Sequence, residues 1–260
     1  MISFSSIEPI YYLLPLIGFV VGFLGTVVGG GGGIFFMPIL ILLYGVSSQT
    51  AIATSLVATI PIGLAGTMGH LKKGNIDLKL GLFFSIAGIF GAIAGTYITS
   101  ITSSEVLKTS YGVYAIFMAI SITYRWLMKN KTERHNSSSQ IYNIKSTLFG
   151  LSGGVVSGMF GTSGTAPVIA GLLSMDISLK VVIGTSLMIV LSNGVSATLA
   201  HFVVGKIDLT LVAFLTIGSL IGAIMGPQLL SKVNTENKES KARYLFAGVL
   251  LTIGILMIVK

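Results

Sequence analysis

Long apolar segments separated by short polar ones make up nearly the whole chain. The stretches without Lys, Arg, Asp or Glu cover residues 9–71, 80–104, 109–124, 146–175, 209–231 and 244–259. Since about 20 apolar residues in a helix cross the hydrocarbon core of a bilayer, the pattern predicts membrane helices. We expect them over residues 10–28, 47–71, 78–100 and 105–128, and then over 146–160, 178–204, 209–231 and 241–259.

Two segments rich in glycine interrupt the apolar pattern. The first is the unbroken run Gly29, Gly30, Gly31, Gly32 and Gly33, and the second is Gly161, Thr162, Ser163 and Gly164. Each glycine inside a helix costs roughly 1 kcal/mol relative to alanine, so a helix is expected to break at both places. Short helices are then predicted over residues 34–44 and 165–175.

A helix break inside a membrane has a chemical consequence. Backbone N–H and C=O groups released by the break are tolerated only where protein or a water-lined cavity satisfies them. A helix that starts again after the break also directs its free N–H groups, at the positive end of the helix dipole, toward that cavity. Both glycine segments are therefore candidate anion sites. For isolated glycine pairs such as Gly91 and Gly95, close helix packing is the simpler interpretation.

Composition supports the membrane assignment. The chain is 53% hydrophobic and 9% charged, with a mean hydropathy of +0.92, whereas soluble proteins carry about 25% charged residues. The net charge of +8 falls in the loops, so it reports membrane orientation and does not indicate nucleic-acid binding. Cysteine is absent, which excludes disulfides. The first twelve residues contain no Lys or Arg, so a cleaved signal peptide is not expected.

The two halves of the chain repeat one another. A shift of 131 positions aligns residues 54–95 with 185–226 without a gap, and 17 of the 42 pairs are identical. The shared residues include Thr54 and Ser55 with Thr185 and Ser186, His70 with His201, and Asp77 with Asp208. Glycine breaks at matching places of two repeats are typical of a transporter whose site lies between the repeats.

The positive loops predict how the repeats are oriented. Basic residues concentrate at Lys72, Lys73 and Lys79, in the central bridge and between residues 232 and 243. If these loops are cytoplasmic, corresponding loops of the two halves face opposite sides and the repeats are inverted. Each half then needs three crossings plus a re-entrant hairpin, or five crossings. We divide the chain into a first repeat over 1–128, a polar cytoplasmic linker over 129–145 and a second repeat over 146–260.

Polar side chains near the breaks are the candidate site residues. Thr54, Ser55, Thr185 and Ser186 begin the long helices that follow each break, and Asn193 lies further along the second of these helices. Hydroxyls and amides can hold an oxyanion, although hydroxyls in membrane helices also bond to their own backbone. His70 and His201 are candidates for gating or proton transfer, with an interfacial or packing role as the alternative. Asp77 and Asp208 are expected to cap helices. We expect no cofactor and no metal site.

The absence of charge from the spans favours one direction of transport. Cation-coupled carriers usually place ionisable groups in their pathway, and no middle of a predicted span contains one. Moving one negative charge outward across an inside-negative membrane gains about 2.3 kcal/mol per 100 mV. Export of a small anion therefore needs no coupling carboxylate.

These motifs resemble the TauE/SafE family of sulfite and organosulfur anion exporters. The resemblance rests on Gly22-x-x-Gly25 and the glycine run before Pro38, on Ala53-Thr-Ser55, on His70-x-x-x-Gly74-Asn-Ile-Asp77, and on their repetition. It covers residues 14–259 and implies a multi-pass plasma-membrane carrier for sulfite, sulfoacetate, thiosulfate or a similar oxyanion. The second half departs from the family pattern, since Gly161-Thr-Ser-Gly164 replaces a glycine-rich run.

Two other functions are compatible with parts of the sequence. Gly161-Thr-Ser163 together with His201 is similar to the Ser/His dyad of rhomboid intramembrane proteases, in which a serine on one helix meets a histidine on another. A passive anion channel is the other alternative. The duplication of His201 as His70 favours transport, because a catalytic dyad needs no second copy.

Overall fold

A computed structural model gives the fold for residues 2–28, 32–127, 139–175, 177–205, 207–230 and 239–260. Gly29, Gly30 and Gly31 of the first break lie outside the described residues. The helices are α1 (Leu14–Val28), α2 (Gly33–Tyr44), α3 (Ser48–Lys72), α4 (Leu78–Ile101), α5 (Ser104–Leu127), α6 (Ser139–Phe160), α7 (Thr165–Leu173), α8 (Leu179–Val204), α9 (Leu209–Leu230) and α10 (Glu239–Val259). A 3₁₀ turn over Pro9–Leu13 precedes α1. The short strands β1 (Ile2–Ser3) and β2 (Ile207–Asp208) pair in parallel.

The prediction of an all-α membrane protein is confirmed. Among the described residues, six helical segments are long and apolar enough to cross a bilayer, and a helix lies at each place where the apolar pattern predicted one. One boundary differs, because α6 begins at Ser139, inside the segment expected to be linker. A helix that leaves the hydrocarbon region can continue through polar residues, so the apolar pattern marks the membrane part of α6 and not its start.

Helices of one half pack in parallel against helices of the other half. Helix α1 lies along α9, and α4 lies along α6. Glycines bring the backbones together: a Cβ added to Gly22 would lie 2.1 Å from the Ser219 carbonyl oxygen, and one added to Gly154 would lie 2.0 Å from the Gly88 carbonyl oxygen. Gly88 and Ser219 are matching positions of the 131-residue shift. The two interfaces therefore repeat the same contact.

Matching helices run antiparallel at the centre of the molecule. The turn after α3 reaches the start of α8, where the Asp77 amide donates to Thr185 Oγ1 at 2.9 Å. The turn after α8 reaches the start of α3, where the Asp208 amide donates to Thr54 Oγ1 at 3.2 Å. Each repeat thus holds the turn of the other through the same threonine hydroxyl.

The matching aspartates cap helices, as predicted. Asp77 Oδ1 accepts a hydrogen bond from the Leu80 amide at 3.0 Å at the start of α4. Asp208 Oδ1 accepts from the amides of Thr210 at 3.0 Å and Leu211 at 3.2 Å at the start of α9. Each carboxylate satisfies N–H groups that the first turn of a helix leaves unpaired.

The two ends of the α3–α8 pair differ. At the Asp208 end, β1 pairs with β2, and the Thr210 hydroxyl donates to the Ser5 carbonyl oxygen at 3.1 Å. At the Asp77 end, an open depression is lined by Ile76, Asp77, Leu78, Ile177, Ser178 and Val181. Among the described residues, the N-terminal segment therefore covers one end of the molecule, while nothing covers the matching place at the other end.

The glycine contact between α6 and α4 gives a first prediction. Gly154→Ala would put its Cβ 2.0 Å from the Gly88 carbonyl oxygen and 2.7 Å from the Ala92 amide nitrogen, and both are backbone atoms. We expect the free energy of unfolding to fall by about 1–3 kcal/mol or more, as in other overpacked cores. Thermal unfolding in detergent measures this. Gly248→Ala is the control because its Cβ would meet nothing within 4 Å, and equal melting temperatures would contradict the contact.

The exchanged threonines give a second prediction. Thr185→Val keeps the side-chain shape but removes the acceptor of the partly buried Asp77 amide, which costs about 1 kcal/mol. Thr54→Val removes the matching acceptor of the Asp208 amide, and we expect a loss of similar size. Serine at either position keeps the hydroxyl and is expected to recover most of the stability. A valine variant as stable as its serine counterpart would contradict these hydrogen bonds.

Candidate functional site

The two helix breaks meet inside the bundle. Gly33, the first residue of α2, lies so close to the second break that an added Cβ would be 2.6 Å from the Gly161 carbonyl oxygen and 3.1 Å from Thr162 Cα. Left-handed backbone marks both breaks, with φ of +75° at Gly32 and +66° at both Gly161 and Gly164. Residues of opposite halves, 128 positions apart (33 and 161), thus form one junction.

The second break has no room for side chains at its glycines. A Cβ on Gly161 would lie 2.2 Å from Ser55 Oγ, and one on Gly164 would lie 1.8 Å from the Gly153 carbonyl oxygen. Ser163 also adopts a left-handed conformation, with φ of +58°. A non-glycine residue in that region costs of order 1–3 kcal/mol, and such residues concentrate at functional sites. The surroundings therefore force Ser163 into its position.

Hydroxyls from α3 bind to the second break. Ser55 Oγ lies 2.8 Å from the Ile52 carbonyl oxygen and 3.1 Å from the Gly161 carbonyl oxygen, so its single proton is shared between them. One turn later, Thr59 Oγ1 lies 3.1 Å from Ser163 Oγ. Thr59 Oγ1 also donates to the Leu56 carbonyl oxygen at 2.8 Å, so the Ser163 hydroxyl is the donor between the two side chains.

Asn193 of α8 is buried, and its amide is unpaired. Its side chain is fully buried, and neither Oδ1 nor Nδ2 has a hydrogen-bond partner among the described residues. The amide lies against Gly88 of α4, where an added Cβ would be 2.1 Å from Oδ1. An unpaired buried amide costs about 1–3 kcal/mol in proteins. Asn193 is thus a polar group that a ligand or water would satisfy.

Other predicted site residues have different partners. The hydroxyls of Thr54 and Thr185 hold the turns described above, and Ser186 Oγ donates to the Ile183 carbonyl oxygen of its own helix at 2.9 Å. Thr162 is buried, and its hydroxyl has no hydrogen-bond partner among the described residues. The structure therefore brings Gly33, Ser55 and the segment 161–164 together, while Thr54 and Thr185 support the frame.

The two histidines are in unlike environments. His201 is 1% exposed, and its Nε2 lies 2.9 Å from the Gly158 carbonyl oxygen near the end of α6. Since a carbonyl oxygen only accepts, Nε2 carries the proton. His70 is only partly buried, and its Nδ1 has no partner in the described part of the chain. Ser163 and His201 thus bond to Thr59 and Gly158, respectively, and not to each other.

Sequence reasoning missed Thr59. Its match in the second repeat is Val190, so the duplication gave no signal for it. The available signal was its spacing: Thr59 follows Ser55 by four residues and therefore lies on the same face of α3. Among the described residues, no group of three or more His, Asp or Glu side chains is placed to bind a metal ion.

Comparison with known proteins gives the family. A model of the family described as "Sulfite exporter TauE/SafE" matches residues 14–257. The probable membrane transporter protein YdhB of Bacillus subtilis (strain 168) is 29% identical over 217 residues, which are 82% of this chain and 88% of that protein. The probable membrane transporter protein YunE of the same organism is 23% identical over 247 residues, 87% of this chain and 90% of that protein.

A third relative matches nearly the whole of this chain. The probable membrane transporter protein MJ0441 of Methanocaldococcus jannaschii is 22% identical over 261 residues, covering 95% of this chain and 94% of that protein. No solved structure matches the chain. Since the family model covers nearly the whole chain and the apolar helices suit a bilayer, this multi-pass membrane transporter belongs to the TauE/SafE family.

Proposed function

We propose that the protein exports a small sulfur-containing oxyanion, such as sulfite, sulfoacetate or thiosulfate, across the plasma membrane. The observation that carries this proposal is the junction between the two helix breaks, where Gly33 lies against Gly161 inside the bundle. The description of the matching family as a sulfite exporter supports the class of substrate.

The groups at the junction suit an anion. Helices α2 and α7 begin directly after Gly32 and Gly164, and no side chain in the described part caps either of them. Their first N–H groups form the positive end of a helix dipole, which favours negative charge. The Ser163 hydroxyl lies beside them and is able to turn from Thr59 toward a ligand, whereas the protons of Ser55 and Thr59 go to carbonyl oxygens. Such donors hold an anion without a fixed cation, so the anion is able to leave again.

We further infer that the repeats are inverted and that the two ends of the molecule open alternately. Matching helices α3 and α8 run antiparallel, as a two-fold axis in the membrane plane requires. The ends differ, because His201 bonds to Gly158 and β1 covers β2 at one end, while the Asp77 end is an open depression. If the Asp77 end closed and the Asp208 end opened, the junction would be exposed to the other side of the membrane. Alternation between these two states would open the junction to each side in turn.

The membrane potential favours export of the anion. Helices α3 and α8 carry Lys72 and Lys180 at their ends, and no charged residue lies between those ends and the junction. An anion therefore crosses with its own charge, and an inside-negative potential drives it outward by about 2.3 kcal/mol per 100 mV.

Proteoliposomes loaded with sulfite test this proposal. An inside-negative potential, set with a potassium gradient and valinomycin, is expected to accelerate sulfite efflux, and an inside-positive potential to slow it. Saturation and counterflow with labelled sulfite are expected of a carrier, whereas a passive channel would show neither. Efflux that does not respond to the potential would contradict electrogenic export.

The junction itself is tested by two substitutions. Gly33→Ala would place a Cβ 2.6 Å from the Gly161 carbonyl oxygen, and we expect at least a tenfold loss of flux, about 1.4 kcal/mol. Ser163→Ala is expected to reduce flux without abolishing it. The Gly248→Ala variant is the control in both cases.

The same Ser163→Ala variant tests the protease alternative. A protease would cleave membrane substrates and lose all of this activity with Ser163→Ala, and that result would contradict transport as the function.

A further inference from the structure

One buried glycine of the bundle has no close contact that requires glycine. Gly194 of α8 is buried, yet an added Cβ would meet only Thr59 Oγ1 at 3.9 Å and Ser163 Oγ at 4.0 Å. Every other buried glycine whose surroundings are described would bring its Cβ within 3.1 Å of a neighbouring atom. A small hollow therefore lies beside Gly194, with two hydroxyls at its edge.

The hollow has an energetic cost that packing does not offset. Glycine inside a helix is less stable than alanine by roughly 1 kcal/mol, and a methyl group would fit here. Glycines elsewhere in the bundle offset this cost by close backbone contacts, as Gly154 does with Gly88. No such backbone contact with the described residues offsets the cost at Gly194. We therefore expect that a ligand occupies the space beside this glycine.

The groups around the hollow are polar. Thr59 Oγ1 gives its proton to the Leu56 carbonyl oxygen, so the Ser163 hydroxyl is the donor that is able to turn from Thr59 toward an occupant. Ser163 directly precedes Gly164, where α7 begins. Asn193, the residue before Gly194, has a buried amide without a partner among the described residues, and this amide lies against Gly88 of α4. An oxygen slightly nearer the hydroxyls than the added Cβ would reach hydrogen-bond distance.

The lining also limits the charge of the occupant. Thr59, Ser163 and Gly194 are all uncharged, and the cost of moving an ion out of water rises with the square of its charge. A singly charged oxyanion is thus far cheaper to hold here than a dianion. A protonated oxyanion has a further advantage, because its O–H group donates to the free lone pairs of Ser163 Oγ.

We propose that the hollow beside Gly194 receives one oxygen of the transported anion, and that the site accepts singly charged oxyanions such as hydrogen sulfite in preference to dianions such as sulfate. This inference rests on the proposed function, because it assigns the position and charge of the same substrate. It also makes Thr59 and Gly194 parts of the site.

The test fills the hollow without disturbing the fold. In purified full-length protein, Gly194→Ala is expected to melt at the wild-type temperature or above it, and in proteoliposomes to lose about tenfold or more of its sulfite flux. Gly248→Ala, an exposed glycine of α10 with open space around it, should keep both properties. Thr59→Val, which removes only the hydroxyl, should raise the half-saturating sulfite concentration roughly tenfold.

The charge preference is measured with the wild type. The total sulfite concentration that gives half-maximal flux should be lower at a pH below the second ionisation of sulfurous acid, where hydrogen sulfite dominates. Sulfate should not compete with sulfite for transport. The proposal is overturned if Gly194→Ala folds and transports like the wild type, if Gly248→Ala loses as much flux, or if sulfate competes as well as hydrogen sulfite. A wild type that moves no oxyanion would instead refute the proposed function, and this inference with it.

Discussion

The structure depends on how backbone polar groups are satisfied where helices stop inside a bilayer. Hydrocarbon offers no partner for a free N–H or C=O group, so each break needs protein around it. Here the break at 161–164 receives Ser55 and Thr59 from α3, and Gly33 of the other break packs directly against it. The first repeat thus completes the break of the second, and the junction is a polar region in an apolar bundle.

Glycine makes this arrangement possible in three different ways. At Gly161 and Gly164 it permits left-handed backbone, and along the α1–α9 and α4–α6 interfaces it allows backbones to touch. Lipid supplies no hydrophobic force between helices, so such close packing is a main source of stability. At Gly194 neither reason applies, and the space is left for a ligand. The same residue type therefore builds the frame, the breaks and the candidate site.

The sequence predicted the helices, the second break and the capping role of Asp77 and Asp208, because these follow from local apolar length, glycine content and position. It could not predict which hydroxyls face the junction. Thr54 and Ser55 are neighbours, yet one holds a turn of the other repeat and the other bonds to the break, since adjacent residues point to different faces of a helix. Thr59 and Gly194 acquire meaning only when α3, α8 and the break are brought together.

The most direct test of the junction uses the absence of cysteine from the chain. Thr59→Cys and Ser163→Cys replace two hydroxyl oxygens that lie 3.1 Å apart, and a protease site inserted within 129–138 separates the halves after cleavage. The account predicts that, after oxidation and cleavage in native membranes, the halves migrate together on a denaturing gel and separate when reductant is added. Halves that separate without reductant, although both cysteines are present and the protein is folded, would contradict the meeting of the two repeats at the break.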